Sequence, residues 1–333
     1  MKAISLLSGG LDSTLATKLA LEQGLEVIAL NFTSPFCQCN HKANSCSIAK
    51  DVAQGLGVSL NVVNLGTEYL EIVKNPKHGY GSNMNPCVDC RILMLKKAKE
   101  FMQKNGADFI ITGEVLGQRP MSQYRHMLKL IDKETQLEGL ILRPLSANLL
   151  DETIPEKKGW VNRKLLLSLS GRTRKPQISL AKDRDIKNYS CPAGGCLLTD
   201  PGFSKRMKDL IKYCGSFSLR DVELLKLGRH FRLDVNSKLI VGRDESENNR
   251  LKNFIDPGDI YFDPHPVKGP VAIGRGNFKD NEILELGARI IARYCDKNGT
   301  DSVIIKYGSC PDITQNETSV FPLELEKIEL YRI

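Results

Sequence analysis

No run of apolar residues in this 333-residue chain approaches the length needed to cross a membrane. No signal peptide is visible either, because the apolar N-terminus is short and passes directly into a glycine-rich string. These two absences predict a cytoplasmic location and no membrane partner. Tandem repeats and low-complexity tracts are also missing, so neither a solenoid nor a disordered linker is expected.

What is present is the composition of a globular chain, 41% hydrophobic and 26% charged, and long enough for two domains. Strand-like runs at 2–7, 26–31, 59–64, 108–112 and 140–142 alternate with helical stretches at 13–23, 47–57 and 92–105. That rhythm predicts a parallel sheet with helices on both faces, whose ligands lie at the carboxyl ends of the strands. The segment 150–190 reads as basic and helical. From residue 203 the pattern changes to a smaller α+β unit, with a hairpin over 228–244 and a helix over 245–252. The expected domains are therefore 1–202 and 203–333.

Ser8-Gly9-Gly10-Leu11-Asp12-Ser13 directly follows the first strand. Two glycines let backbone curl around a phosphate, and the helix that opens next offers unpaired N–H groups and a positive dipole end. Ser8 and Ser13 add hydroxyl donors, and Asp12 can hold Mg²⁺ against a pyrophosphate. The Lys-Ser/Thr ending of a Walker loop is missing. The string resembles the PP-loop of the N-type ATP pyrophosphatases, which split ATP between the α- and β-phosphates to adenylate a carbonyl oxygen. The resemblance implies a Rossmann-like sheet and an ATP site. Asn31 and Gly113, at the ends of the second and fourth strands, are read as facing that ATP.

Ten cysteines in a reducing compartment point to metal or redox chemistry rather than structural disulfides. Cys87 and Cys90 form a C-x-x-C just before a helix, a spacing that suits one metal or one cluster, and the helix N-terminus favours thiolate. Cys196 follows Gly194-Gly195, with Cys191 as a competing ligand. Cys37, Cys39 and Cys46, with His41, could complete a Zn²⁺ site or handle sulfur.

Asn85-Pro86-Cys87-Val88-Asp89-Cys90-Arg91 resembles the cysteine loop of the tRNA 2-thiouridylases, and Gly194-Gly195-Cys196 their second cysteine. The tRNA-thiolating enzymes of this branch make 2-thiouridine or 4-thiouridine by replacing an adenylated uracil oxygen with sulfur. The resemblance implies catalytic roles for Asp12, Cys90 and Cys196. It also implies a [4Fe–4S] cluster on Cys87, Cys90 and Cys196, with one iron left free for a hydrosulfide. Without a cluster, Cys90 and Cys196 would act as a persulfide and its resolving thiol. The sulfur donor would be sulfide or a cysteine desulfurase system. The long loop 113–123 departs from the standard 2-thiouridylases; its Arg119, Gln123, Arg125 and His126 are candidates for phosphate or RNA contacts.

Between Glu156 and Lys187 ten basic residues face three acidic ones, within a chain of net charge +8. Such an excess beside a phosphate-binding domain favours tRNA as partner, with Arg172, Arg174 and Lys175 on its backbone. The segment 228–251 resembles the RNA-binding domain of NFACT proteins, with Val241-Gly242-Arg243 and Asn248 as its signature, and implies RNA contacts by Arg229 and Arg243. Two alternatives stand beside this reading: a small-molecule PP-loop ligase with structural zinc, and a non-catalytic RNA-binding protein. The pattern leaves room for a homodimer.

Overall fold

The computed structural model describes residues 1–37, 45–189, 195–296, 302–309 and 316–333, the side chains of 45–47 excepted. The chain forms two compact units, Met1–Asp200 and Pro201–Ile333.

The first unit holds a five-stranded sheet of β1 (Lys2–Leu6), β2 (Glu26–Thr33), β3 (Ser59–Asn64), β4 (Phe109–Thr112) and β5 (Ile141–Leu142), in the order β3-β2-β1-β4-β5. Every pairing is parallel, as the alternation of strands and helices predicts. Its helices are α1 (Leu11–Leu21), α2 (Ser45–Gly55), α3 (Gly66–Lys74), α4 (Cys87–Lys104), α5 (Arg125–Thr135), α6 (Ile154–Lys157) and α7 (Lys175–Asp183).

Both faces of the sheet are covered, which is why its central strands are apolar at nearly every position. Ala3 joins Leu15, Leu19, Phe109 and Ile111 on one face. Ile4 and Leu6 join Leu30, Ile92, Leu95, Ile110 and Ile131 on the other. Each such leucine or isoleucine contributes about 1.5–3 kcal/mol by leaving water. The strand order reverses between β1 and β4, and that reversal opens a crevice beyond their carboxyl ends.

The expected basic helical segment is mostly irregular. Its described part carries only the short α6 and α7 as α-helix. Pro155, Gly159, Gly171 and Pro176 interrupt any longer helix by removing amide donors or by adopting left-handed backbone. The helix expected from residue 92 begins instead at Cys87, so the C-x-x-C occupies its first turn.

The second unit is α+β, as expected. Its sheet comprises β6 (Arg229–Arg232), β7 (Ser237–Val241), β8 (Ile260–Pro264), β9 (Ala272–Gly276), β10 (Val303–Ser309) and β11 (Asn316–Val320), in the order β11-β10-β8-β9-β7-β6 and wholly antiparallel. The helices are α8 (Pro201–Tyr213), α9 (Leu219–Leu224), α10 (Glu245–Lys252), α11 (Asn281–Ala292) and α12 (Leu325–Glu329). Alternation along β7 sends Leu239 and Val241 toward Phe231, Phe262 and Ile291, and Ile240 toward Leu224, Leu251 and Ile273. Among the described residues no helix is long and apolar enough to cross a membrane.

Candidate active site

The string 8–13 folds as the turn between β1 and α1. Gly9 takes φ +74°, and an added Cβ there would meet the Ala49 backbone nitrogen at 3.0 Å, so this turn requires glycine. The Ser8 and Ser13 hydroxyl oxygens lie 3.1 Å apart, the Ser8 N–H donates to Ser13 Oγ at 3.2 Å, and the Ser13 hydroxyl donates to the Gly10 carbonyl at 2.9 Å. The opening amides of α1 have no intrahelical acceptor and form the positive end of its dipole.

A cavity of about 150 Å³ lies at this turn, lined by Ser8, Gly10, Asp12, Ser13, Thr112, Gly113, Arg91 and Arg174 among others. Gly113 lets β4 approach the loop closely: a Cβ there would stand 2.5 Å from the Ser13 backbone nitrogen. Asn31 does not line the cavity. Its side-chain amide donates to the Leu7 carbonyl at 2.8 Å and so ties β2 to the entry of the turn.

Asp12 accepts from Gln118 Nε2 at 2.7 Å, and Arg174 Nη2 stands 3.7 Å away. Gln177 of α7 in turn donates to Gln118 at 3.1 Å. Asp12 Oδ1 is buried without a hydrogen-bond partner. A hard, unpartnered carboxylate oxygen fits the donor chemistry of Mg²⁺.

Three arginines gather here. Desolvation lowers the Arg119 guanidinium pKa, and Arg91 and Arg174 lower it further, while Cys87 and Asp12 pull it the other way. Arg91 is fixed from behind by Glu114, which accepts from Arg91 Nε at 2.7 Å and from Arg143 Nε at 2.9 Å. Arg143 forms a second, forked pair with Asp132 at 2.9 and 2.6 Å. Burial pushes the Glu114 carboxyl up, but Arg91 and Arg143 outweigh it and hold it at about 2. Arg172 and Lys175 are exposed on the same basic turn.

The thiols lie at the start of α4 and in the loop before Leu197. Pro86 caps α4, so Cys87 and Cys90 project from its first turn. The preceding loop is bound to the Cys196 loop: the Met84 N–H donates to the Leu198 carbonyl at 3.1 Å, and Asn83 Nδ2 to the Thr199 carbonyl at 2.7 Å. Tyr69 of α3 is buried, and its hydroxyl acts on the Cys90 and Cys196 thiols, holding both below where burial alone would put them. Its ring packs edge-on against Phe36 at 5.4 Å. Neither Tyr69 nor Glu114 was among the residues expected from the sequence.

The expected thiolate character at the helix start is overturned. Burial raises the Cys87 thiol, pushes Cys90 to about 11 and pushes Cys196 to about 12. Desolvation outweighs the dipole, so these sulfurs stay protonated at neutral pH until a metal or an oxidant takes the proton's place.

Cys87, Cys90 and Cys196 are soft donors of the kind an iron–sulfur cluster takes. Among the described residues no three His, Cys, Asp or Glu side chains converge to hold a single metal ion. An all-sulfur donor set suits a cluster, in which each iron takes one cysteine. Of the zinc set, Cys39 and the side chain of Cys46 lie outside the described residues, as does Cys191. Cys37 sits beside Cys196, paired with it across an antiparallel bridge.

In the second unit Arg229 and Arg243 are both held by the fold. Arg229 stacks over the Tyr294 ring at 4.5 Å and donates to the Gly242 carbonyl at 2.9 Å. Arg243 is paired with Glu247 of α10 through Nε at 2.9 Å.

Residues 1–154 match the family model for the thiamine biosynthesis protein ThiI, and residues 228–332 the model for the NFACT protein RNA binding domain. A probable tRNA sulfurtransferase of Thermoanaerobacter sp. (strain X514) is 35% identical over 119 residues, 35% of this chain and 30% of the relative. A tRNA-specific 2-thiouridylase MnmA of Pelobacter propionicus is 31% identical over 120 residues, 34% of this chain and 33% of the relative. The chain thus spans about a third of the length of these curated relatives. A 4-thiouridine synthetase–RNA complex with bound ATP superposes with TM-score 0.40 at 21% identity, over 67% of this chain and 52% of that one. The U34-tRNA thiolase NcsA of Methanococcus maripaludis, solved with its [4Fe–4S] cluster, does so with TM-score 0.35 at 18% identity, over 68% and 73%. The resemblances read from the sequence, to a PP-loop tRNA-thiolating domain and to an NFACT RNA-binding domain, stand.

Proposed function

We propose that this chain, whose residues 1–154 match the ThiI family and whose residues 228–332 match the NFACT RNA-binding domain, is an ATP-dependent tRNA sulfurtransferase. The observation that carries the reading is one juxtaposition: the cavity at the Ser8–Ser13 turn is also lined by Arg91 and Met94 of α4, and the Cys90 thiol donates to the Met94 sulfur at 3.9 Å. Activation and sulfur chemistry would then share one site.

In this reading Mg-ATP enters the cavity at Ser8–Ser13, its phosphates held by Gly9, Gly10 and the α1 amides, with Mg²⁺ on Asp12. A uracil oxygen of tRNA attacks the α-phosphorus and pyrophosphate leaves. Arg91, Arg119 and Arg174 stabilise the charge that develops there. Cys87, Cys90 and Cys196 would hold an iron–sulfur cluster, which when bound would supply the sulfur-transfer chemistry. Tyr69 orients the Cys90 and Cys196 sulfurs, and the walls around them keep water from hydrolysing the adenylate. The second unit and the exposed Arg172 and Lys175 would bind the tRNA backbone. Sulfide or a cysteine desulfurase system supplies the sulfur.

The test is mass spectrometry of tRNA nucleosides from a strain lacking the gene. One thionucleoside should vanish, returning with the wild-type gene and not with Asp12→Ala. An unchanged nucleoside profile refutes the reading. A purified protein that turns over ATP without RNA would favour a small-molecule ligase instead.

A further inference from the structure

A fourth sulfur belongs to this site. Cys37 lies just past the end of β2 and pairs with Cys196 across an isolated antiparallel bridge. The hydrogen bond at that bridge runs from the Leu197 N–H to the Phe36 carbonyl at 2.8 Å, between the neighbours of the two cysteines rather than the cysteines themselves. Cys37 and Cys196 are therefore a non-hydrogen-bonded pair. In such pairs the Cα atoms stand roughly 4.5 Å apart with both side chains on one face. A disulfide needs a Cα separation of about 4.4–6.8 Å, so this pair meets the requirement without backbone movement. Cys90 and Cys37, if ionised, would both disfavour the Cys196 thiolate, so both sulfurs lie near it.

Cys37 is only partly buried. The Ser34 N–H donates to its Sγ at 3.3 Å, and the Ser34 hydroxyl stands 3.3 Å from the same sulfur. The thiolate is the form that exchanges with disulfides.

We propose that Cys37 is the thiol-exchange partner of Cys196 and that the two close a reversible disulfide, with a small-molecule disulfide as oxidant. The Cys37 thiolate attacks glutathione disulfide, forming a mixed disulfide and releasing one glutathione thiolate. The Cys196 sulfur then attacks Cys37 Sγ. The Cys37–glutathione bond breaks, and the second glutathione leaves with the Cys196 proton. Two electrons have passed from the protein thiols to glutathione disulfide, and a dithiol reverses the exchange. The closed bond takes Cys196 out of the sulfur-handling set, whether it serves there as ligand or as sulfur carrier. That consequence rests on the proposed function; the bond itself does not.

The test uses the full chain, purified without cluster and incubated anaerobically with glutathione disulfide, then alkylated with iodoacetamide and mapped without reduction. Fragmentation separates Cys37 from Cys39 and Cys196 from Cys191. The expected result is a Cys37–Cys196 link that dithiothreitol opens. Iodoacetamide labelling of Cys196 falls by about fivefold or more, and Cys37→Ser abolishes that protection. Cys90→Ser retains the link. A link from Cys196 to Cys90 or to any other cysteine, or glutathione left on Cys37 with no link, overturns the proposal. Thionucleoside formation by the reduced protein is scored separately. A link without thiolation refutes the functional reading and leaves the pair standing; thiolation without a link refutes the pair alone.

Discussion

Replacing Glu114 by glutamine isolates the group that holds the arginines of the site in place. The Glu114 carboxylate is 1% exposed and lies between Arg91 and Arg143, at 2.7 and 2.9 Å. Glutamine keeps the volume and removes the charge, leaving two guanidiniums facing each other without their shared counter-ion. Breaking a buried pair in this way costs about 3–5 kcal/mol. The pH dependence gives an independent value. Glu114 falls from 4.5 to about 2 on folding, which corresponds to about 3 kcal/mol. Its native value lies below its unfolded one, so the contribution is complete above pH 4.5 and is lost as the pH falls toward 2. Asp132 works in the opposite sense, because burial raises its carboxyl and Arg143 only partly offsets that. Urea unfolding at pH 7 should therefore show Glu114→Gln less stable by roughly 3 kcal/mol, and the gap to wild type should narrow as the pH drops from 4.5 to 3. ATP affinity should fall as well, since Arg91 lines the cavity. A variant within about 1 kcal/mol of wild type at pH 7, or a gap independent of pH, would refute the argument.

Gly113→Ala forces a Cβ to within 2.5 Å of the Ser13 backbone, so ATP binding measured by calorimetry should weaken by more than about tenfold, with a stability loss near 1–3 kcal/mol. Asp12→Asn should lower pyrophosphate release by roughly 10²–10³ while the melting temperature stays close to wild type. Tyr69→Phe removes the hydroxyl that lowers the Cys90 and Cys196 thiols, so both should rise further and alkylation at pH 9 should slow; faster alkylation would contradict that role. Replacing Arg172 and Lys175 together by alanine should weaken tRNA binding and reduce the slope of log K against log salt by about 2, with ATP affinity unaffected.

Local signals in the sequence carried the phosphate turn and the parallel sheet, because each depends on residues close together in the chain. Glycines followed by Asp12 and Ser13 after an apolar strand can form only a few structures, and both faces of β1 are apolar because both are covered. The start of α4 was misread: the helix was expected from residue 92, although Pro86 and the acidic Asp89 are the signals of a helix opening at Cys87. Tyr69 gave no such signal. It is one aromatic residue on the buried side of α3, and its meeting with Cys90 and Cys196 depends on long-range packing. The same holds for Cys37, which was grouped with Cys39 and Cys46 by nearness in sequence, whereas strand pairing joins it to Cys196. The thiol pKa values went the other way from expectation because burial, which a spacing does not reveal, outweighs the helix terminus.

The account turns on one site that both activates a uridine and delivers sulfur to it. Reduced full-length protein, unmodified tRNA, Mg-ATP and sulfide should yield AMP, pyrophosphate and a thionucleoside in equal amounts, all abolished by Asp12→Ala. AMP release that neither requires tRNA nor leaves sulfur in it would contradict the account.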